Sequence, residues 1–304
     1  LTLESGGLKP DKRSEHLNFG ENVGLPYYPL DTARARYLGG STNRWHVSVG
    51  RNQLGARIRP LDAIDFEARD YVPYSGWPFR KSDLDPYYAS AQDACRSGPP
   101  DYEAARWFQG AASPKLPLDD RIVNTILFKF ATKQNFLSEH VEAVQHAENA
   151  SVVLYANVVE IETDDACKSV TRLQAACLSG ARFSVSAKVY VLAAGGIEIP
   201  RLLLNSNKSM PCGLGNQNDL VGRFFMEHLH FWSGMFIPFG SQMINRTAIY
   251  NEIQWVNDVP VIAKLALSEA VMRKEGLINH NVQLIPRWVR RSSLYAHLHP
   301  DFST

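Results

Sequence analysis

The sequence predicts an α/β chain, α+β overall, with a layered first part and the start of an antiparallel-sheet second part. Three observations carry that expectation. Runs rich in β-branched residues follow one another at 151–163, 169–178 and 181–194. The last run passes through Ala193, Ala194, Gly195 and Gly196 into a leucine-rich stretch with Pro200 near its start, the order strand, small-residue turn, helix. After residue 224, aromatic and alternating segments such as HLHFWSGMFIPF and PVIAKLAL appear without helix–strand alternation.

The elements follow in order. LTLE reads as the end of a buried strand that runs into a Ser5-Gly6-Gly7 turn, so the chain is expected to begin mid-sheet. Residues 8–30, polar and then rich in Pro and Tyr, read as a surface excursion. The segment 34–50 sets a Gly pair and hydroxyls before aromatics and a β-like stretch. Turn punctuation at Pro60, Pro73, Gly76 and Pro78 leads to a helix expected from Ser82, its N-cap, with Asp83 and Asp85 in the first turn. A Pro-rich connection from Ser97 to Pro117 precedes residues 121–146, which end in a short amphipathic helix capped by Ser138.

Composition narrows the function classes. Thirty-two basic against thirty-one acidic residues leave a net charge of +1, which excludes the electrostatic footprint of nucleic-acid binding. No apolar run is long enough for a membrane span. Cys95, Cys167, Cys177 and Cys212 sit far apart with no C-x-x-C pair, which argues against zinc fingers, iron–sulfur clusters and disulfide scaffolds and leaves structural thiols, and no metal site is expected. The first residues give no basis for arguing for or against a signal peptide, so localisation stays open with the cytoplasm preferred.

Three short constellations could carry chemistry. Glu4 ends a strand where a nucleotide-binding sheet places an acid on ribose hydroxyls, though a solvated Glu at a strand end has the same appearance. Gly39, Gly40, Ser41, Thr42 and Asn43 combine residues without Cβ with hydroxyls and amides that can meet a phosphate, and an ordinary Gly-Gly turn is the competing reading. Ala194 and Gly195 stand where a strand hands over to a helix N-terminus, a geometry suited to a dinucleotide or simply to tight strand–helix packing.

Taken together, RYLGGSTNRW, RPLDAIDFEARDYVPYSGWPFRKSDLDPYY, VLAAGGIEIPRLLLNS and GLGNQNDLVGRFFMEH resemble, in order and separation, the glucose-methanol-choline (GMC) oxidoreductases over most of residues 1–230. The resemblance implies an incomplete Rossmann-like FAD-binding domain over 1–225, with a helical and loop insertion at about 80–150. The beginning of a substrate-binding domain follows over 226–304. Glu4 matches the acid on the adenosine ribose. Gly39, Gly40, Ser41 and Thr42, with Asn43 and Trp45 beyond them, match the loop against pyrophosphate and flavin. Val158 matches the strand residue whose backbone meets adenine, and Ala194 and Gly195 match the turn under the ADP half.

Some members of that family attach FAD through a His where this chain has Arg44, so non-covalent FAD is the expectation. The implied reaction is oxidation of a CH–OH group in a small alcohol, sugar or polyol by hydride transfer to flavin, with the electron acceptor open. The family's Gly-rich first turn and its catalytic His are expected outside residues 1–304. His228, His230, His297 and His299 are read as structural or solvated residues rather than as that base. The alternative is a non-catalytic truncated flavoprotein or partial gene product. An NAD-dependent enzyme would need a G-x-G-x-x-G that the sequence lacks.

Overall fold

The computed structural model describes residues 1–109, 115–132, 140–237 and 240–285. In chain order its strands are β1 (Thr2–Leu3), β2 (Val47–Gly50), β3 (Gln53–Ile58), β4 (Val123–Ala131), β5 (Val152–Val153), β6 (Asn157–Thr163), β7 (Val170–Ala176), β8 (Arg182–Val185), β9 (Gln254–Val256) and β10 (Val259–Leu267). The helices are α1 (Lys12–His16), α2 (Lys81–Ala94), α3 (Ala104–Trp107), α4 (Val141–Gln145), α5 (Gly195–Asn205), α6 (Ser241–Asn251) and α7 (Glu269–Glu275). This mixture bears out the α/β expectation.

The chain divides into two compact units, Leu1–Trp45 with Asn135–Ser233, and His46–Gln134 with Gly234–Thr304. Each is interleaved from two stretches, whereas the sequence reading set a single boundary at 225/226. In the first unit β1 pairs in parallel with β5, and β6, β7 and β8 form a separate antiparallel sheet. Helix α5 covers that sheet with Leu202, which packs with Ile161 and Leu214. The buried Ser206 hydroxyl locks the contact: it donates to the Leu202 carbonyl at 2.7 Å and accepts the Ile161 amide at 2.9 Å.

The second unit is built on one antiparallel sheet in the order β2-β3-β4-β10-β9. Its spine is the β4–β10 pair, in register from Lys129↔Val261 to Val123↔Leu267. Alternation gives the sheet two apolar faces. On one of them Leu127 and Val261 meet Ala104 and Trp107 of α3 while Ala263 meets Ile249 and Tyr250 of α6, and on the other Phe130 and Ile262 pack with Val49. The Tyr250 hydroxyl is satisfied by Thr125 Oγ1 at 2.7 Å and by the Leu116 amide at 3.1 Å. Two-residue turns close the flanking hairpins, with positive φ at Arg51 and Asn52 and at Asn257 and Asp258, the backbone that matches strand twist.

Four local expectations are corrected. The run 189–194 forms no strand, and Val189 and Val191 are exposed, because no strand edge among the described residues pairs with it. Residues 228–237 are likewise irregular, and the antiparallel sheet takes β2, β3 and β4 from earlier in the chain, β4 lying inside the stretch read as helix and loop. Helix α2 has Arg80 rather than Ser82 at its N-cap, since the Asp83 carboxylate accepts the Arg80 amide at 2.8 Å and closes that end. Helix α5 starts at Gly195, inside the small-residue turn that was expected to precede it. Ser138, His297 and His299 lie outside the described residues.

Candidate functional site

The first unit brings two of the sequence-derived segments together through its backbone and a third through side chains. At the end of β1, Glu4 donates its amide to Val153 and accepts the Ala156 amide on its carbonyl, both at 2.9 Å. Its Oε1 accepts the Gly6 amide at 2.7 Å and, more weakly, the Ser5 hydroxyl at 3.4 Å. Among the described residues Oε2 accepts no hydrogen bond, so half of the carboxylate is available to a ligand hydroxyl.

The turn that follows needs glycine at Gly6 and favours it at Gly7. A Cβ on Gly6 would overlap the Arg36 carbonyl, and one on Gly7 would overlap the Tyr155 phenol. This close approach lets the Leu38 amide reach the Gly7 carbonyl at 2.9 Å, which draws the second segment against the first. Gly39 and Gly40 then take φ of 86° and 52° and start a 3₁₀ turn over Gly40–Asn43. Asn43 holds the turn from inside by donating to the Leu38 carbonyl at 2.9 Å, and Thr42 donates to the Gly39 carbonyl. Ser41 accepts the Ala35 amide at 3.3 Å. Trp45, beyond the turn, is exposed, its ring edge-on to His228 at 6.0 Å.

Val158 pairs with Ala175 in β6–β7, next to a register shift that ends at Glu160, and its side chain packs against the Ile161–Leu202–Leu214 core. Ala194 and Gly195 are exposed at the start of α5, where no side chain caps the helix. A Cβ on Gly195 or Gly196 would meet no atom within 4 Å, so the start of this eleven-residue helix is open around its glycines, and its first amides receive no side-chain cap.

What ties α5 to the other segments is a charge cluster that the sequence reading missed. Glu198, 8 % exposed, lies 2.9 Å from Arg34 Nη2, 3.4 Å from Arg36 Nη2 and 2.8 Å from Arg201 Nε. Arg36 also donates to Ser5 Oγ at 3.1 Å and Asn18 Oδ1 at 3.0 Å, while Arg34 donates to the Asn18 carbonyl at 3.0 Å. Glu15 adds a second carboxylate, accepting the Arg36 amide at 3.1 Å.

Burial is the largest influence on Glu198 and opposes its ionisation. The Arg201 hydrogen bond and the charges of Arg201, Arg36 and Arg34 together outweigh it and hold the carboxyl below its ordinary pKa. Desolvation lowers the Arg34 pKa, with Glu198 acting against it. Arg34 Nη1 and Glu198 Oε1 lack an aligned hydrogen bond among the described residues, so this pair is held by charge more than by alignment. The signals were short ones, an R-x-R doublet before the Gly pair and an acid four residues past Ala194.

The histidines stand apart from this arrangement. His228 and His230 lie on the irregular segment after Phe224, with ring centroids 6.5 Å apart. That segment is tied back by Tyr27, which donates to Glu227 Oε2 at 2.6 Å; this bond is the main reason the Tyr27 pKa rises to about 12. Among the described residues no group of three His, Cys, Asp or Glu could hold a metal ion, and no helix is long and apolar enough to cross a membrane.

No protein-family model matches the chain. Over short stretches it is similar to dehydrogenases. One is the 2-methyl-1,2-propanediol dehydrogenase of Mycolicibacterium austroafricanum, 50 % identical over 52 residues, which cover 17 % of this chain and 9 % of that protein. Another is the fructose dehydrogenase large subunit of Gluconobacter japonicus, 40 % identical over 80 residues, 26 % of this chain and 14 % of the relative. The matches thus span about a tenth of each relative's length.

Proposed function

We propose that the chain belongs to an FAD-dependent oxidoreductase of the GMC type that oxidises a CH–OH group of a small alcohol, sugar or polyol. The observation that carries this reading is the joining of the Glu4 turn, the Gly39 loop and the open N-terminus of α5 within one unit. Each offers what a dinucleotide needs. Glu4 Oε2 can accept ribose hydroxyls, the glycines admit close backbone approach, and a helix N-terminus favours phosphate. The dehydrogenase similarities, one to a diol enzyme and one to a sugar enzyme, support a polyol-like donor.

In this reading Gly39, Gly40, Ser41, Thr42 and Asn43 line the pyrophosphate and flavin, with Trp45 beyond them. Val158 meets adenine through its backbone, and Ala194 and Gly195 lie beneath the ADP half. Bound FAD supplies the hydride acceptor. The chain's own part is to hold and orient the cofactor, and Arg44, in place of a His, leaves the attachment non-covalent.

Titration of FAD into the protein, in the full length its gene encodes, followed by quenching of flavin fluorescence, is expected to saturate. Acid precipitation should leave the yellow colour in the supernatant. Glu4→Gln is expected to weaken binding about tenfold, the scale of a hydrogen bond to a charged group. Fructose or 2-methyl-1,2-propanediol, added without oxygen, tests the donor class by bleaching the bound flavin. Absence of saturable FAD binding would overturn the proposal.

A further inference from the structure

We infer that Glu198 is a positioning residue: by holding Arg34 and Arg36 it fixes the Gly39 loop, the Ser5 turn behind Glu4 and the N-terminus of α5 as one cradle. The inference rests on the FAD reading and extends it to residues that need not touch the cofactor. Its basis is connectivity. Arg36 reaches Ser5 Oγ at 3.1 Å and Glu198 at 3.4 Å, so one side chain spans the turn after β1 and the first turns of α5. Arg34 and Arg36 both hold Asn18 and both meet Glu198, and the chain between Arg36 and Gly39 contains only Tyr37 and Leu38, both buried. A displacement of either guanidinium is therefore passed to the Gly pair.

The chemistry gives Glu198 a role that neutral residues cannot fill. Side chains of Arg34, Arg36 and Glu198 are 16 %, 10 % and 10 % exposed, so their charges are poorly screened by water. Removing the carboxylate leaves the Arg34, Arg36 and Arg201 guanidiniums without the charge that they share. They must then separate or draw in solvent, and either response moves the loop. A cluster serving stability alone could be replaced by packed apolar residues; a cluster that sets the spacing of two ligand-binding segments could not.

The test uses the protein in the full length its gene encodes. Two quantities are read, FAD affinity by fluorescence quenching and the rate of tryptic cleavage after Arg34, Arg36 and Arg44 without FAD. Glu198→Gln, nearly isosteric and uncharged, is expected to weaken FAD binding tenfold or more, about the scale for loss of an orienting partner behind a binding group. It should also speed cleavage at those arginines. Glu198→Asp should recover part of both effects because it restores the charge.

Unchanged affinity and unchanged cleavage in Glu198→Gln would overturn the inference, as would weakened affinity that Glu198→Asp does not recover. Should the parent protein bind no FAD, the proposed function fails on its own. Cleavage then decides the clamp: faster proteolysis in Glu198→Gln supports it, and equal proteolysis overturns it. If Glu198→Gln does not fold, Arg34→Lys, which keeps the charge but not the fork, reads the same two quantities with the same expected direction, and parent-like values overturn the inference.

Discussion

In the unit formed by residues 1–45 and 135–233, the buried carboxylate of Glu198 faces three guanidiniums. In the unit of 46–134 and 234–304, the buried ammonium groups of Lys129 and Lys264 lie against aromatic rings. Lys129 sits 4.4 Å from the Trp107 ring and donates to the Pro99 carbonyl, and Lys264 sits 5.5 Å from Phe128. The difference follows from how each unit is built. Loops of differing shape meet in the first, and opposite charges are an efficient way to hold chain segments that have no shared sheet. A continuous sheet already fixes the second, so its charges are tolerated by packing and do not organise it.

That contrast is sharpest if packing is removed. Leu127, with no exposed surface at the centre of β4, packs against Val261 and the α3 residues. Leu127→Ala is expected to destabilise the protein by about 2–5 kcal/mol, transfer and cavity terms combined. Denaturant titration checks it; a loss below 1 kcal/mol would mean that packing does not dominate this unit. In the loop-built unit the matching change adds an atom. Gly6→Ala drives a methyl into the Arg36 carbonyl, backbone that cannot rotate away, and should cost roughly 1–3 kcal/mol. On the proposed function, FAD affinity should fall with it. Gly7→Ala meets the Tyr155 side chain instead, which is exposed enough to swing aside, and should do less on both readouts.

The two units also differ in how well the sequence announced them. β6, β7 and β8 were readable as three β-branched runs, and PVIAKLAL as a strand, because antiparallel strands of one short sheet carry their pattern locally. The Gly39 turn was readable because glycine pairs mark backbone that other residues resist. β4 was missed: TILFKFA is apolar on both faces, and its identity as the spine depends on β10, more than 120 residues away. The opposite error occurred at 189–194, where an apolar run lacks a partner edge and so forms no strand. The Arg34–Arg36–Glu198 cluster was missed for a related reason: its two short signals lie 160 residues apart, and ion pairs leave no periodicity that joins them.

Charge in the sheet-built unit gives the next prediction, of smaller size. Burial, reinforced by the nearby Arg57, lowers the Lys264 pKa from 10.5 to about 8. Unfolding restores the ordinary value, so between about pH 8 and 10.5 the unfolded chain binds more protons than the folded one. Stability therefore rises with pH through that window as the penalty is relieved, and the penalty is complete below pH 8. Lys264→Met should raise stability at pH 7 by about 1 kcal/mol, well short of the roughly 3 kcal/mol that the whole shift would carry, since part of it is relieved by solvent. The gain should shrink toward pH 10 in paired thermal melts. Lys129→Met should gain less, because it gives up the Pro99 carbonyl and two ring faces.

The smallest effect belongs to an ion pair that neither packing nor burial supports. Arg51 Nη1 meets Asp258 at 2.9 Å between the turns of the β2–β3 and β9–β10 hairpins, with side chains 54 % and 90 % exposed. Asp258→Asn isolates the charge, because Asn accepts the left-handed backbone at φ 60° as readily as Asp does. Arg51 also keeps its stacking at 4.2 Å over Trp255. The change should therefore stay within about 0.5 kcal/mol and vanish in high salt, as exposed pairs do. Measured beside Glu198→Gln by denaturant titration at low and high salt, it separates an ion pair decorating a sheet from one that joins loops. A loss above 1 kcal/mol in Asp258→Asn, or a Glu198→Gln effect erased by salt, would remove the distinction between the two units.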